Sequence, residues 1–361
     1  MKKEALLFLE AVTRYNPVAI YIPGSPDPDA IASAYALKSI LDKLSVGADI
    51  FAERRLSLPQ NQAFLEKLKI PVRFRKEIST DKYKAYIVPD FQDNKIEGIS
   101  DRIPCVLHID HHAKSESSVD ADLSLIRIDA GSTSTIVALL LKNLDLVFSE
   151  KELASIATAL AYGIQTDTDK YNYTSELDLE ALEYLAPHVD DAIIQEINSI
   201  PPSAETLEYY TAAKENEIIY KDWAFYAVGF VNSKSRDSIA ITADMLIKRS
   251  DYKVIAAFGI VENRNREELY LDVSMRADSS EIDLNRIIKK ITPNGGGRQF
   301  KGAYQVKLDY FISAPDRELL WKVVKDTTVE TLKSSRDSLY ITGIQGFYGN
   351  LKKRIFSFLQ K

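Results

Sequence analysis

Short apolar runs alternate with helical patterns through the first half of the chain. Residues Val18–Ile22, Ala85–Pro89 and 105–109 have the length and composition of buried β-strands. Between the first two runs, residues 30–44 carry apolar side chains at the spacing of one helix face. This alternation of strand and helix predicts an α/β fold built on a parallel sheet.

Acidic residues and histidines come directly after these runs. Because the carboxyl ends of parallel strands meet at one edge of a sheet, side chains that follow them converge on one crevice. Several carboxylates held close together repel each other unless cations neutralise them. The sequence therefore predicts a site for divalent metals, of a kind that suits phosphate chemistry. The candidate ligands are Asp27, Asp29, Asp90, Asp110, His111, His112 and, after a helical stretch, Asp167.

Each of these groups also has a plainer interpretation. Asp27 and Asp29 lie in the turn between the first strand and its helix, where aspartate commonly caps the helix. The pair His111 and His112 is compatible with a structural hydrogen-bonding cluster, and Asp167 with an ordinary loop. Only the combination of all the groups favours a metal site.

The composition is that of an ordinary globular protein with room for two domains. The 361 residues are 45% hydrophobic and 27% charged, and the net charge is −6. This charge gives no overall attraction for long nucleic acid, so a small phosphorylated ligand must be held by local cations. The single cysteine, Cys105, excludes a disulfide framework and predicts a buried, inert thiol in a reducing compartment.

The first ten residues superficially resemble a signal peptide. Glu4 and Glu10 bracket an apolar core that is too short for one, so we predict an amphipathic first helix. No apolar run approaches the length of a membrane span. We therefore expect a cytoplasmic protein with no membrane partner.

A break near residues 200–203, Ile-Pro-Pro-Ser, divides the pattern into two parts. The predicted divisions are a metal-binding domain over 1–198, a helical linker over 199–220, a smaller α/β domain over 221–314 and a helical C-terminal extension over 315–361. The later helices predicted in the first domain span 150–162 and 178–197. The second domain is predicted to have strands at 223–231, 254–261, 269–275 and 303–308, helices at 238–248 and 282–291, and a flexible glycine turn at 295–297.

Four ordered motifs resemble those of the DHH phosphoesterase superfamily. Residues 25–33, Ser-Pro-Asp-Pro-Asp-Ala-Ile-Ala-Ser, resemble its first motif, Asp90 its second, and Ile-Asp-His-His at 109–112 its third. Residues 163–168 resemble the fourth motif. Gly-Ser-Thr-Ser at 131–134 resembles a stretch between the last two, and its hydroxyls predict a helix start. The resemblance implies an N-terminal parallel-sheet domain with a phosphoesterase site.

The resemblance also implies that two manganese ions bind at this site, with magnesium or cobalt as alternatives. The residues it assigns to the ions are Asp90 as a bridge, Asp27 at the first ion, and Asp29, His111 and Asp167 at the second. It gives Asp110 a supporting role in catalysis and gives His112 a contact with the phosphate. General chemistry agrees, because two cations about 3.5–4 Å apart stabilise the attacking and leaving oxygens of an in-line displacement.

In the second domain, residues 273–276 and 295–303 resemble the DHHA1 domain that accompanies DHH domains. A glycine-rich turn lets backbone N–H groups approach a phosphate or base closely, and an arginine side chain pairs with phosphate in a fork. Three glycines alone would fit a plain flexible turn equally well. The substrate-binding residues that the resemblance implies are Arg276, Gly295, Gly296, Gly297 and Arg298.

The chain departs from the family pattern at two positions. Pro23 stands where the family has a histidine that binds the first metal, and proline cannot be a ligand. Arg298 stands where the glycine turn usually ends in histidine, although arginine is itself a good phosphate ligand. His108 lies two residues before Asp110, on the same predicted strand face. It is a candidate replacement ligand, but a buried hydrogen-bonded histidine is the commoner case.

We expect a metal-dependent phosphoesterase that cleaves short nucleotide phosphodiesters or terminal phosphates. The substrates that the resemblance implies are short oligoribonucleotides, cyclic dinucleotides with their linear products, and 3′-phosphoadenosine 5′-phosphate. The expected partner is a small nucleotide or a short single-stranded oligonucleotide rather than a long duplex, and a homodimer stays open. The alternatives are a non-catalytic nucleotide-binding protein, marked by Pro23, and a hydrolase of pyrophosphate or polyphosphate.

Overall fold

The computed structural model describes residues 1–56, 58–75, 77–112, 117–263, 268–279, 281–293 and 295–359, with side chains up to residue 339. The chain divides into two compact units, Met1–Pro201 and Pro202–Lys361. No helix in this described part of the chain combines the length and the apolar character that crossing a membrane requires.

The first unit contains one six-stranded sheet in which every neighbouring pair of strands is parallel. Its elements are α1 (Lys2–Val12), β1 (Val18–Ile22), α2 (Pro28–Lys43), β2 (Ala48–Ala52), α3 (Pro59–Leu68), β3 (Val72–Phe74), β4 (Ala85–Pro89), β5 (Cys105–Asp110), β6 (Ala121–Ile126), α4 (Thr133–Lys142), α5 (Glu150–Asp167), α6 (Glu176–Leu185) and α7 (Asp191–Ser199). The strand order is β3-β2-β1-β4-β5-β6.

The central strands are buried on both faces, which explains their continuous apolar runs. Every residue of β1, β4 and β5 is buried. Helices α2, α4 and α5 cover one face of the sheet. On the other face, the core includes Tyr83, which precedes β4, and Ile96 and Ile99, which lie between β4 and β5. The predicted parallel α/β architecture is therefore confirmed.

The strand order reverses between β1 and β4. From β1 the chain moves outward to β2 and β3, then returns to β4 on the other side of β1 and continues to β5 and β6. In open parallel sheets, ligands bind outside the carboxyl ends of the strands at such a reversal. The segments that follow β1 and β4 contain the predicted residues Asp27, Asp29 and Asp90, so these residues border this crevice.

Two helices of the first unit differ from their predicted extents. The helix predicted over 150–162 continues as α5 to Asp167, so the fourth motif lies within the helix rather than after it. The helix predicted over 178–197 is two helices, α6 and α7. Pro187 lies in the short 3₁₀ turn between them, and its missing N–H and its ring prevent a continuous helix.

The second unit contains a six-stranded mixed sheet in the order β11-β12-β10-β9-β8-β7. Its elements are α8 (Ala204–Glu215), β7 (Glu217–Tyr220), β8 (Trp223–Asn232), α9 (Ser238–Ile247), β9 (Val254–Glu262), β10 (Leu269–Ala277), α10 (Leu284–Ile291), β11 (Gly296–Gly297), β12 (Lys301–Lys307) and α11 (Arg317–Leu359). The β8–β9 pair is parallel and the other pairs are antiparallel. Helix α8 falls in the predicted linker and packs against α9, where Thr206 Oγ1 lies 2.9 Å from Ser238 Oγ.

Side chains alternate between the two faces of β10, as they do in any strand. Val273 and Met275 belong to the apolar core under α10 and α11. Asp272 and Arg276 instead form ion pairs with residues on the side of α9. The second sheet therefore has one apolar face and one face that contains buried charges.

Candidate metal centre

The acidic and histidine side chains predicted from the strand ends come together at one edge of the first sheet. One group, whose ligand atoms lie within 4.8 Å of one another, consists of Asp90, Asp110, His111 and His112. A second group that meets the same limit consists of Asp29, His111 and Asp167. Each group offers carboxylate oxygens and imidazole nitrogen, which are common ligands of divalent transition metals.

His111 stands where the two groups meet. Its Nε2 atom lies 3.4 Å from Asp90 Oδ1 and 3.3 Å from Asp167 Oδ2, and its side chain is buried. The other ring nitrogen, Nδ1, lies 3.4 Å from the backbone oxygen of Ala130. Because a carbonyl oxygen accepts hydrogen bonds, this contact favours a proton on Nδ1 and leaves the Nε2 lone pair for a metal.

Asp110 orients both histidines of the third motif. It is the last residue of β5 and is fully buried. Its Oδ1 atom accepts hydrogen bonds from the backbone N–H of His111 at 2.8 Å and from Nδ1 of His112 at 2.9 Å. The side chain of His112 is 30% exposed, whereas that of His111 is 1% exposed. His112 is therefore the histidine that a ligand arriving from solvent can contact.

The two acids of the first motif have different environments. Asp27 is the N-cap of α2, and its side chain accepts a hydrogen bond of 2.9 Å from the N–H of Ala30. The helix-capping interpretation therefore describes Asp27, and its metal binding stays a prediction. Asp29 is fully buried, and its two oxygens accept hydrogen bonds from the N–H groups of Thr133 and Ser134, each at 2.7 Å.

The start of α4 belongs to the site, although sequence reasoning did not place it there. Ser132 is the N-cap, so the N–H groups of Thr133 and Ser134 carry the partial positive charge of a helix start toward Asp29. Thr133 Oγ1 also donates a hydrogen bond of 2.9 Å to Asp90 Oδ1. The hydroxyls at 131–134 were a visible signal of a helix start, but nothing in them indicated contact with a residue 104 positions earlier.

Asp90 leaves β4 in the left-handed region of backbone conformation, at φ 54°. Aspartate and asparagine are the residues besides glycine that tolerate this conformation best. The N–H of Asp90 still donates a hydrogen bond of 2.9 Å to the backbone oxygen of Ile109, which continues the pairing of β4 with β5. The local backbone thus turns the chain out of the sheet and leaves the carboxylate next to His111.

Burial raises the pKa of Asp29 and the pKa of Asp90 well above the ordinary value. Repulsion acts in the same direction. The negative charges of Asp167 and Asp27 raise the pKa of Asp29. The charges of Asp29, Asp27 and Asp167 in turn raise the pKa of Asp90. Buried carboxylates in this arrangement remain ionised together only when positive charge is added. The donor set therefore fits divalent cations.

Pro23 is buried and has no atom that can bind a metal, so the first motif lacks the histidine ligand of the family pattern. His108 is fully buried, and its Nε2 atom lies 2.7 Å from the backbone oxygen of Phe91. A carbonyl at this distance requires a proton on Nε2, so this nitrogen is not a metal ligand. The contact is that of a buried, hydrogen-bonded histidine.

In the second unit, the predicted substrate-binding residue Arg276 pairs with Asp244 of α9. Its Nε atom lies 2.6 Å from Asp244 Oδ1 and its Nη2 atom 3.2 Å from Oδ2, which is a forked ion pair. The guanidinium also donates hydrogen bonds to the backbone oxygens of Met275 and Ala240. A phosphate must therefore share Arg276 with Asp244 or displace it, and substrate binding by Arg276 stays a prediction.

The predicted glycine turn is a short strand rather than a flexible turn. Gly296 and Gly297 form β11 and pair with β12. A Cβ atom on Gly297 would lie 2.2 Å from the backbone oxygen of Lys301, so glycine permits the close approach of the two strands. Gly295 precedes this strand, and the N–H of Arg298 donates a hydrogen bond of 2.7 Å to Lys301. Substrate binding by these residues stays a prediction.

Comparison with known proteins identifies a family domain within the first unit. Residues 17–164 match the model of the DHH family, N-terminal domain. The chain is 32% identical over 313 residues to the uncharacterized protein MJ1633 of Methanocaldococcus jannaschii. That alignment covers 86% of this chain and 62% of the relative, so the chain spans less than two thirds of the relative's length.

The fold is also similar to that of a solved structure. An exopolyphosphatase-related protein from Bacteroides fragilis aligns with a TM-score of 0.66 and 17% identity, over 92% of this chain and 97% of its own. At this identity the likeness concerns the fold. The DHH family match, by contrast, includes the strand ends that carry the first, second and third motifs. The match therefore assigns residues 17–164 of the first unit to the DHH family N-terminal domain.

Proposed function

We propose that this chain is a metal-dependent phosphoesterase that hydrolyses short nucleotide phosphodiesters or terminal phosphates. The match of residues 17–164 to the DHH family N-terminal domain supports this class of reaction. The observation that carries the proposal is the packing of Asp90 and Asp167 against one buried histidine nitrogen, at 3.4 and 3.3 Å. Carboxylates and imidazole this close together, on the crevice side of a parallel sheet, form a suitable site for neighbouring cations.

Two manganese ions are the proposed cofactors, with magnesium or cobalt as alternatives. Asp29, His111 and Asp167 would hold one ion. Asp90 has two carboxylate oxygens and would bridge this ion to the other, which Asp27 would help to hold. When bound, such a pair of cations neutralises charge on the phosphoryl oxygens and makes water more acidic. Mixed carboxylate and imidazole ligands suit manganese better than they suit magnesium.

His112 and Asp110 would act on the substrate side of this centre. The hydrogen bond from Nδ1 of His112 to Asp110 fixes the orientation of the imidazole ring. In its protonated form, His112 would donate a hydrogen bond through Nε2 to a phosphate oxygen. The neighbouring ligands Asp29 and His111 are buried, so the reacting phosphate would meet few competing water molecules on that side.

The proposed substrates are short oligoribonucleotides, cyclic dinucleotides with their linear products, and 3′-phosphoadenosine 5′-phosphate. The net charge of −6 supports a small ligand over a long duplex, because long nucleic acid needs an extended basic surface. The resemblance of residues 273–276 and 295–303 to the DHHA1 domain supports recognition of a nucleotide.

Pro23 favours a second candidate function, a nucleotide-binding protein without catalysis. A site that lacks one ligand binds its cation more weakly, and a lost first ion would leave binding without hydrolysis. The Asp29, His111 and Asp167 group does not include position 23, so the other ion would still bind. Turnover in the presence of manganese separates the two candidates.

The test is a substrate panel incubated with manganese, magnesium or cobalt. The panel contains a diribonucleotide, cyclic di-AMP, 3′-phosphoadenosine 5′-phosphate, pyrophosphate and polyphosphate, and the last is included because of the name of the Bacteroides fragilis protein. The variants are Asp90→Asn and, as a matched control, Asp42→Asn, which alters an exposed acid of α2 paired with Lys38.

Metal-dependent release of nucleotide or phosphate by the wild type and by Asp42→Asn, with none by Asp90→Asn, supports the phosphoesterase. Nucleotide binding without turnover under all three metals supports the non-catalytic candidate. Turnover of pyrophosphate or polyphosphate alone would replace the nucleotide substrates with inorganic ones. Equal activity of Asp90→Asn and wild type would contradict the proposed metal centre.

A further inference from the structure

We infer that Asp178, on α6, is a positioning residue that holds the turn at residues 130–135 against the metal centre. This inference rests on the proposed function, because it concerns the same centre. Asp178 is 11 residues beyond Asp167 of the fourth motif and is fully buried. Sequence reasoning did not single it out, since an aspartate in the first turn of a helix is common.

The carboxylate of Asp178 accepts hydrogen bonds from two residues of the turn. The N–H of Gly131 lies 2.9 and 3.1 Å from its two oxygens, and Thr135 Oγ1 lies 2.5 Å from Oδ1. The same carboxylate accepts a hydrogen bond of 2.6 Å from the N–H of Ser175, its own helix cap. Three hydrogen-bond donors therefore fix the position of this buried carboxylate.

The turn contacts three groups of the metal centre. The N–H groups of Thr133 and Ser134 bind both oxygens of Asp29. Thr133 Oγ1 binds Asp90, and the backbone oxygen of Ala130 lies 3.4 Å from His111 Nδ1. One short segment therefore sets the positions of two carboxylates and a histidine, and two other residues of the same segment, Gly131 and Thr135, bind Asp178.

The lack of a side chain at Gly131 allows Asp178 to lie this close to the turn. A Cβ atom at Gly131 would lie 2.2 Å from Asp178 Oδ2 and 2.8 Å from Thr168 Cγ2. A side chain at this position would therefore push the carboxylate away from the turn. The glycine is needed for the close approach of Asp178 rather than for a left-handed backbone conformation.

Asp178 also belongs to the capping box of α6, and the two roles can be separated. In the box, Asp178 binds the N–H of Ser175, and Ser175 Oγ accepts a hydrogen bond of 3.2 Å from the N–H of Asp178. Ser175→Ala weakens the cap and leaves the bonds to Gly131 and Thr135. Thr135→Val removes one of those bonds, together with the 2.9 Å contact between Thr135 Oγ1 and Ser132 Oγ, and leaves the α6 capping box intact.

The experiment measures amide hydrogen exchange at residues 131–135 in metal-free protein and the affinity of the same proteins for manganese by calorimetry. The first amides of α4 have no partner within the helix and are held by side chains, so their exchange reports on these contacts. The variants are Asp178→Asn, Thr135→Val and Ser175→Ala. Glu176→Gln, at an exposed acid of the same helical turn, is the control.

Asp178→Asn and Thr135→Val should speed exchange at 131–135 and weaken manganese binding by about 10-fold or more, the usual cost of losing a residue that orients metal ligands. Ser175→Ala should lower the melting temperature without either effect, and Glu176→Gln should match the wild type. If Asp178→Asn does not fold, Thr135→Val tests the inference instead, because this variant retains the carboxylate of Asp178.

Unchanged exchange in Thr135→Val would overturn the inference, and so would faster exchange with unchanged manganese affinity. A wild type that binds no manganese overturns the proposed function instead. The exchange data then decide by themselves whether Asp178 holds the turn, so the two failures remain distinguishable.

Discussion

Both units contain buried or partly buried carboxylates, but the charges that surround those carboxylates differ. In the first unit, burial and neighbouring carboxylates raise the pKa of Asp29 and Asp90. In the second unit, burial also opposes ionisation of Asp244, yet the adjacent Arg276 brings the pKa of Asp244 below its ordinary value. The second unit contains the cation that its carboxylate needs, whereas the first unit requires cations from solution.

This difference shows how a structural acid is told from a functional one. Sequence alone presents aspartates in both units, and the identity of the nearest charged group separates them. Arg236 lies 2.6 Å from the buried Asp272, and Arg276 lies 2.6 Å from Asp244. Around Asp90 the nearby groups are carboxylates and histidines. A cluster of the second kind is the one to test for metal.

The largest expected effect follows from removing one charge in the first unit. Asp90→Asn keeps the left-handed backbone conformation and an acceptor for Thr133, but it removes the negative charge that a cation needs. Residues that merely orient metal ligands contribute about 10–100-fold, so loss of a direct ligand should lower kcat/KM by at least about 100-fold. Initial rates with saturating manganese measure this. A rate above half that of the wild type would remove Asp90 from the centre.

The next effect concerns the ion pair of the second unit. Arg276→Met leaves Asp244 beside an apolar neighbour, and breaking a buried pair from one side costs about 3–5 kcal/mol. The side chain of Asp244 is 37% exposed, and solvent screening reduces the expected loss to about 2 kcal/mol. Urea denaturation measures the free energy of unfolding. The double variant with Asp244→Leu should recover most of this loss, and a double variant no more stable than the single one would contradict the pairing.

The two units should respond to pH in opposite directions when metal is absent. The raised pKa of Asp90 means that the folded state keeps a proton which the unfolded state releases above about pH 4, so stability falls as pH rises toward neutral. The lowered pKa of Asp244 gives stability that is present above about pH 4 and is lost as pH falls through the folded pKa.

Two variants make this contrast measurable by urea denaturation with a chelator at pH 5 and pH 8. Asp90→Asn should raise the free energy of unfolding by about 1 kcal/mol, and by more at pH 8 than at pH 5. Asp244→Asn should lower it by a similar amount at pH 8. A loss of stability in Asp90→Asn at pH 8 without metal would show that its carboxylate has a cationic partner in the protein.

The smallest expected effect comes from adding a ligand. Pro23→His restores the histidine of the family pattern and should lower the manganese concentration for half-maximal activity by up to about 10-fold. Pro23→Ala removes the proline without adding a donor and is the matched control. If both variants shift the manganese requirement equally, the backbone rather than a missing ligand limits metal binding.

Much of the site could be predicted because parallel strands bring their carboxyl ends to one edge. Asp90 and His111 follow adjacent strands, so their proximity follows from topology alone. The separate roles of Asp27 and Asp29 could not be read in the same way. Both lie in one turn, and only the backbone geometry decides which carboxylate caps α2 and which meets the start of α4.

The parts that sequence reasoning missed depend on contacts between distant segments. The anchor between Asp178 and Gly131 joins two helix starts that no periodicity links. The pairing of β11 with β12 removes the freedom that three consecutive glycines suggest. The break between α6 and α7 is different, because it could have been predicted from the sequence: Pro187 interrupts the helical pattern.

Anomalous diffraction from crystals soaked in manganese tests the metal centre most directly. We predict two manganese peaks at the carboxyl edge of the first sheet, one among Asp29, His111 and Asp167 and the other beside Asp90. We also predict that Asp90→Asn crystals lose at least one peak. An empty crevice at saturating manganese, or a single peak that the Asp90→Asn variant retains, would contradict a two-cation centre.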